Sequence, residues 1–192
     1  MGKDGVTMVS GNVVLVQSKW GDNWFQTFIS NAIRWLTSSQ YSHSLVTLPQ
    51  LLNCDMCVEA ASNGVTLQRF DTTYWTNPSQ ACDVYELIGI SDDIKAAAMK
   101  GLLSELDTSY GYLEMPWFIW RALNRMVGRD IKSHDNWSQH GDICSWVCVQ
   151  YLTACGLGDL FRDYGKCSVA PQDLRNIFDA NPTIFKKTAS TF

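Results

Sequence analysis

The residue of this sequence most suited to chemistry is a thiol at the start of a predicted helix. The segment 143–154 has helical character and stops before Gly156, which places Cys144 in the first turn. There the helix dipole stabilises a thiolate, the nucleophilic form of cysteine, and free backbone N–H groups can stabilise an oxyanion. Cys144 equally fits an ordinary buried cysteine, because Cys148 and Cys155 follow on the same helix.

Two further residues are candidates to complete a nucleophilic site. His43 begins a predicted strand and suits a general base, or an imidazolium partner for the thiolate. Glu59 lies in an apolar stretch, where a carboxylate is costly unless it is paired, so it is a candidate to orient the His43 ring. Asp83 and Glu86 compete for that role. The alternatives are a hydrogen-bonded histidine at a strand edge and a salt bridge formed by Glu59 at a strand end.

Other motifs indicate neither a metal nor a cofactor. Cys54 and Cys57 form a C-x-x-C pair without the strand-to-helix context of a redox motif, and no second pair completes a zinc site. One polar stretch carries four nitrogen or oxygen ligands whose spacing matches no metal pattern: His134, Asp135, His140 and Asp142. No Gly-rich phosphate loop occurs.

Short apolar and β-branched runs predict the strands that position these residues. Residues 13–16 suit a strand buried on both faces. Asn63-Gly64 is a hairpin turn signal between two of the other predicted strands. Those further strands cover 44–48, 56–60, 65–67 and 82–90.

Helical periodicity and capping signals predict the remaining elements. Residues 25–36 place apolar side chains on one helix face, after a cap at Asp22 or Asn23. Ser91 is expected to cap a helix that runs to about Leu106. Its apolar stripe is predicted to be Ile94, Ala98, Leu102 and Leu106. Pro171 is expected in the first turn of a last short helix, and this mixture predicts an α+β domain.

Length and composition limit the class of protein. The chain has 192 residues, 15 basic and 19 acidic side chains, and a formal net charge of −4, which excludes a strongly basic nucleic-acid binder. Aromatic residues make up 12% of the chain and charged residues only 18%, the reverse of a disordered protein. We expect one domain over residues 1–192, with its core between about 11 and 180.

Apolar segments long enough to cross a membrane are not predicted. The longest runs, 13–16 and 117–120, are far shorter than the roughly 20 residues of a transmembrane helix. Residues 1–4 precede a strand-like segment rather than a secretory signal, so we expect cytosolic synthesis, where all seven cysteines can stay thiols. The Trp117–Trp120 patch suits core packing, a substrate wall, or a surface for a lipid or another partner.

Five segments occur in an order that resembles the circularly permuted NlpC-type papain-like family, which includes the YiiX-like proteins. In that family a strand and a helix precede a Ser-His pair, a Glu follows on a neighbouring strand, and a Cys-Ser pair opens a late helix. The resemblance runs from about Gly11 to Leu174. The matching segments are 11–16, 33–37, 41–44, 58–60 and 143–145.

The resemblance implies a permuted papain-like domain, in which an antiparallel sheet packs against the helix that carries the nucleophile. It implies Cys144 as nucleophile, His43 as general base and Glu59 as the residue that orients His43. Tyr41 and Ser145 are implied to bind substrate or the oxyanion. Two positions depart from the family pattern, Asn12 for the usual Asp and Trp146 where Glu is frequent, and neither belongs to the triad.

The function implied is a cysteine hydrolase that cleaves amide or peptide bonds through a thioester intermediate. The family points to bacterial cell-wall peptides, and a bacteriophage origin with a place in the virion agrees with the lack of a signal sequence. One alternative is a lipid acyl hydrolase or acyltransferase, like the related lecithin retinol acyltransferase group, with the Trp117–Trp120 patch seating the lipid. Another is a non-catalytic binding or virion module, in which Cys144 would be unreactive.

Overall fold

The computed structural model describes most of the chain. The described residues are 10–18, 39–61, 64–108, 115–129, 131–132, 143–165 and 168–192. The predicted helix over 25–36 and the four potential metal ligands between 134 and 142 lie outside these ranges.

Six strands form one fully antiparallel sheet in the order β4-β3-β2-β1-β5-β6. All five predicted strands are present, and β6 is an addition that periodicity did not reveal, because its residues are mostly exposed. The strands are β1 Val13–Ser18, β2 His43–Leu51, β3 Cys54–Ala61, β4 Gly64–Arg69, β5 Gln80–Leu87 and β6 Phe185–Ser190.

The central strand β1 is buried on both faces, as its continuous apolar run predicts. Val13 and Leu15 contribute to the larger core cluster, whereas Val14 and Val16 contribute to a second cluster that also contains Phe70. All four β1 residues are fully buried. The sheet therefore has two covered faces, and the residues of β1 alternate between them.

Four α-helices are described. They are α1 Asp92–Leu103, α2 Met115–Met126, α3 Cys144–Leu152 and α4 Pro171–Ala180. Helix α3 packs its Val147, Cys148 and Tyr151 side chains into the larger core cluster, beside Val13 and Val46 of the sheet. The sheet thus lies against the helix that begins at Cys144, which confirms the predicted α+β architecture.

The C-terminal end of α3 and the start of α4 agree with their sequence signals. After α3, a π-helical turn over Thr153–Leu157 contains Gly156 with a φ of 87°. This left-handed conformation suits glycine and ends the helix. Pro171 is the first residue of α4, where its missing N–H has no cost.

Helix α1 is capped as predicted, and its buried face includes Ala98 and Leu102 of the predicted stripe. The Ser91 hydroxyl accepts a hydrogen bond from the backbone N–H of Ile94 at 3.4 Å. The predicted stripe was wrong at Ile94, which is 44% exposed, because the helix turns the neighbouring Lys95 and Met99 inward. Lysine can be buried there because its alkyl stem packs like an apolar side chain. The helix also ends at Leu103, before Leu106.

The Trp117–Trp120 segment does not form one exposed patch. Trp117 is buried against Ile143 and Ala170, whereas Trp120 is 53% exposed. The side chains between them lie outside the described part of the chain. Across the described residues, the helices are too short and too polar to span a bilayer.

Candidate active site

The site lies where β2 separates from β3. Strand β2 pairs with β1 from His43 onward, but its pairing with β3 begins only at Val46, opposite Val58. The backbone N–H of Thr47 points to β1, so strand alternation directs the N–H of Ser44 toward the β3 side. That N–H donates to the Cys144 sulfur instead of to a β3 carbonyl.

The N-terminal end of α3 brings the thiol to this opening. Ile143 is the extended residue before the helix, and Cys144 is its first helical residue, which confirms the predicted placement. The first N–H groups of a helix have no intrahelical acceptor. The N–H of Ser145 uses this freedom to donate to the Cys144 sulfur. Two backbone donors, one from a strand and one from a helix, therefore converge on the thiol.

His43 connects the thiol to the carboxylate. Its Nε2 lies 2.5 Å from Oε2 of Glu59, and its side chain is also hydrogen-bonded to Cys144. Because Nε2 is engaged by Glu59, Nδ1 is the ring nitrogen available to the sulfur. The structure thus assembles a Cys-His-Glu triad from α3, β2 and β3, the three residues that sequence reasoning singled out.

The charges of the triad support one another. Burial opposes the charged form of His43, but the negative charges of Cys144 and Glu59 outweigh it and raise the pKa of His43 to about 10. Burial likewise opposes the thiolate, and the His43 charge together with the converging N–H groups lowers the pKa of Cys144. Both shifts favour a thiolate–imidazolium pair over the neutral pair.

The site is nearly closed to solvent. Cys144 is 5% exposed and Glu59 is 3% exposed, while the His43 side chain keeps 18% of its surface in contact with solvent. Interactions between charges are stronger in such a low-dielectric setting than in water. His43 is the member of the triad that solvent reaches most easily.

The structure also resolves which carboxylate serves His43. Asp83 is fully engaged elsewhere, with Oδ2 2.5 Å from the Tyr41 hydroxyl and Oδ1 2.6 Å from the Lys187 ammonium group. Glu86 pairs across the sheet with Lys186 on β6. Glu59 is therefore the carboxylate of the site, and the two competitors belong to the β5–β6 side of the sheet.

The hydroxyl groups of Tyr41 and Ser145, which were predicted to bind substrate or the oxyanion, form hydrogen bonds elsewhere in the structure. The hydroxyl of Tyr41 donates to Asp83 and accepts a hydrogen bond from Arg175 at 2.8 Å. The hydroxyl of Ser145 donates to the backbone carbonyl of Val169. Both hydroxyl groups are thus occupied away from the thiol, and the group that Ser145 offers to the site is its backbone N–H.

Tyr74 is a site neighbour that sequence reasoning missed. It lies in a π-helical turn, Asp71–Trp75, and its hydroxyl donates to Oε2 of Glu59. Its ring stacks on His43 with an interplanar angle of 24° and a centroid distance of 6.0 Å. No local pattern marks this tyrosine, because its partner lies on a different element, 15 residues earlier in the chain.

The remaining motif is a pair of thiols on one strand. Cys54 and Cys57 both lie on β3 and are free thiols, and burial raises the pKa of Cys57. Among the residues that the structure describes, no three Cys, His, Asp or Glu side chains are grouped to hold a metal ion.

Comparison with known proteins identifies a fold. No protein-family model matches the sequence, and no curated protein matches it. A solved structure does match: metalloprotein YiiX from Escherichia coli O157:H7, with a TM-score of 0.52 and 16% identity, over 95% of this chain and 97% of that chain. The term metalloprotein describes YiiX. The comparison shows that this chain has an α+β fold similar to that of YiiX.

Proposed function

We propose that this protein is a cysteine hydrolase of the permuted papain-like type, acting through a thioester intermediate. The observation that carries the proposal is the hydrogen-bonded chain from Cys144 through His43 to Glu59 at a helix N-terminus. A sulfur with a depressed pKa, a base and an orienting group are the parts that covalent thiol catalysis requires. The order His43, Glu59, Cys144 along the chain is compatible with a permuted arrangement, because a triad is defined by geometry.

Acylation begins at the thiolate of Cys144, which attacks the carbonyl carbon of the scissile bond. Backbone N–H groups at the start of α3 stabilise the negative charge that develops on the carbonyl oxygen. The His43 imidazolium gives its proton to the leaving group as the tetrahedral intermediate collapses. The products of this half-reaction are a thioester on Cys144 and a free amine or alcohol.

Deacylation restores the enzyme. His43, now neutral, takes a proton from water, and the resulting hydroxide attacks the thioester carbon. Collapse of the second tetrahedral intermediate releases a carboxylic acid and returns the Cys144 thiolate beside the His43 imidazolium. Glu59 keeps its charge throughout and holds the ring of His43 in one orientation.

The proposed substrates are amide or peptide bonds of bacterial cell-wall peptides, with a virion-associated role in a bacteriophage. The family resemblance of the five sequence segments supports this class. The lipid alternative gains no support from the Trp117–Trp120 segment, because Trp117 is buried against Ile143 and Ala170. The non-catalytic alternative requires that the thiol be unreactive.

The test compares two substrate classes on wild type and on Cys144→Ala. Peptidoglycan fragments are assayed for new amino groups, and phospholipids for released fatty acid. Amide cleavage that disappears in Cys144→Ala is the expected result. Release of fatty acid alone would replace the peptide substrate by a lipid ester. An inert protein whose Cys144 also alkylates like an ordinary thiol would overturn the hydrolase proposal.

A further inference from the structure

The carboxylate of Glu59 receives two hydrogen bonds on one oxygen. His43 Nε2 lies 2.5 Å from Oε2, and the Tyr74 hydroxyl donates to the same atom. Glu59 is a buried carboxylate, which is costly to maintain in its charged form without such donors. The second donor therefore acts on the group that fixes His43.

Tyr74 belongs to the second core cluster, whose aromatic residues fix its position. The π-helical turn Asp71–Trp75 places it between Phe70 and His43, and its ring stacks on Phe70 with an angle of 28°. Phe70 is fully buried, and Trp75 packs beside it with a centroid distance of 6.1 Å. A rigid aromatic support of this kind keeps the Tyr74 hydroxyl at one place relative to Glu59.

The beginning of the turn is also anchored. The guanidinium of Arg69 donates to both carboxylate oxygens of Asp71, at 3.1 and 2.6 Å. The turn closes where the backbone N–H of Thr76 donates to the carbonyl of Asp71 at 2.8 Å. The position of Tyr74 is therefore set by local contacts that do not involve the triad.

Electrostatics make Tyr74 a donor only. Burial, with the nearby charge of Glu59, raises the pKa of Tyr74, so its phenol keeps its proton. Burial opposes the charge of Glu59, but His43 and the Tyr74 hydroxyl together lower the pKa of this carboxyl. The phenol thus supports the charged form of Glu59 without competing for the proton of His43.

We propose that Tyr74 is a positioning residue, which holds Oε2 of Glu59 against Nε2 of His43 and so leaves the other ring nitrogen directed at Cys144. This role deepens the proposed hydrolase function but is defined by the state of His43, not by turnover. Without the phenol, the Glu59 carboxylate loses a donor and a fixed orientation. The carboxylate keeps its charge but can turn away from Nε2, so the protonated form of His43 loses part of its electrostatic stabilisation.

The experiment is an NMR titration of His43 in wild type, Tyr74→Phe and Tyr85→Phe. Tyr85 is the matched control because it is also a buried tyrosine, but its hydroxyl has no hydrogen-bond partner among the described residues. A His43→Gln spectrum assigns the resonance among the three histidines of the chain. We expect the His43 midpoint to fall by about one pH unit in Tyr74→Phe and to stay unchanged in Tyr85→Phe.

A double variant separates positioning from general structural support. In a Glu59→Gln background, Tyr74→Phe should shift the His43 midpoint by less than about 0.3 units, because the phenol acts through the Glu59 charge. Equal shifts in both backgrounds, or no shift from Tyr74→Phe alone, would overturn the proposal. Either result tests the role of Tyr74 independently of whether Cys144 is a catalytic nucleophile, because the measured quantity is the titration midpoint of His43.

A further measurement needs no change at Tyr74. Wild type should show a downfield Tyr74 hydroxyl proton, protected from solvent exchange, that disappears in Glu59→Ala, which removes the acceptor. If Tyr74→Phe fails to fold, this resonance decides the matter. Its absence from wild type, or its persistence in Glu59→Ala, would show that the phenol does not hold the carboxylate.

Discussion

The backbone N–H of Ser44 donates to the sulfur of Cys144 in the part of β2 that is not paired with β3. A strand normally uses such a group to bind its neighbour in the sheet. Here it serves the thiol instead, and the preceding residue on the same strand is His43. One strand therefore supplies both a backbone donor and the imidazole to a sulfur that α3 delivers.

The ion pair predicts a flat pH profile for alkylation of Cys144. An ordinary thiol reacts about a hundred times faster at pH 8 than at pH 6, because its thiolate fraction grows with pH. The lowered pKa of Cys144 should instead extend the reactive thiolate to lower pH and give a plateau that ends at about pH 10, where His43 loses its proton. Iodoacetamide labelling read by peptide mass spectrometry measures this profile.

The shape of the profile, rather than the absolute rate, is the readout, because Cys144 is only 5% exposed. Cys54, a partly exposed free thiol, serves as the comparison within the same chain. His43→Ala should restore a steep profile at Cys144. A wild-type profile as steep as that of Cys54 would show that no ion pair exists.

Removal of the Glu59 charge should shorten the plateau at its alkaline end. In Glu59→Gln the pKa of His43 falls, because one of the two anions that raise it is lost. The acid limb should not move to higher pH, because His43 is still protonated there and still supports the thiolate. We expect the alkaline limb of the profile to move down by about one pH unit, equivalent to roughly 1.4 kcal/mol.

Glu86→Gln is the matched control for that change. Glu86 lies on β5, opposite Lys186 on the edge strand β6, and β1 separates β5 from the strand that carries His43. Its profile should superimpose on wild type. An equal narrowing in both variants would mean that net charge, not the contact with His43, controls the thiol.

Ser145→Ala should lower stability and leave the alkylation profile unchanged. The Ser145 hydroxyl donates to the buried carbonyl of Val169, and an unsatisfied buried acceptor costs about 1–3 kcal/mol. The backbone N–H that reaches the sulfur is retained. Urea unfolding measures the loss, with Ser104→Ala as control, since that hydroxyl also donates to a carbonyl but is exposed. A shifted profile would assign the side chain a direct role at the thiol.

The buried ion pair between Arg121 of α2 and Asp173 of α4 should contribute strongly to the free energy of unfolding. Arg121 donates to both oxygens of Asp173, at 2.6 and 3.1 Å, and the backbone N–H of Ala170 donates to Asp173 at 2.8 Å. Asp173→Asn removes the charge of a buried carboxylate that accepts two hydrogen bonds from Arg121, so unfolding should become easier by about 3–5 kcal/mol.

The exposed pair on the same helix is the control for Asp173→Asn. Arg175 and Asp179 lie 2.6 Å apart on α4, and the Asp179 side chain is 54% exposed. Asp179→Asn should cost at most about 1 kcal/mol in the same urea unfolding experiment. Similar losses for the two variants would mean that burial does not distinguish these pairs.

Local patterns in the sequence predicted most elements of this fold. The β-branched run of β1, the Ser91 cap, Pro171 at the start of α4 and Gly156 after α3 each act over a few neighbouring residues. Such interactions can be read without knowledge of the tertiary structure. Periodicity failed at Ile94, because the face that a helix buries depends on what it packs against.

For the candidate site, the sequence by itself determined the residue types and the placement of Cys144 at a helix start, of His43 on β2 and of Glu59 on β3. Only the tertiary structure decided that Glu59, rather than Asp83 or Glu86, meets His43. It alone revealed the phenol of Tyr74 and the N–H of Ser44. The reason is physical: these contacts join different elements, so they depend on strand order and on where two strands separate, which no local propensity encodes.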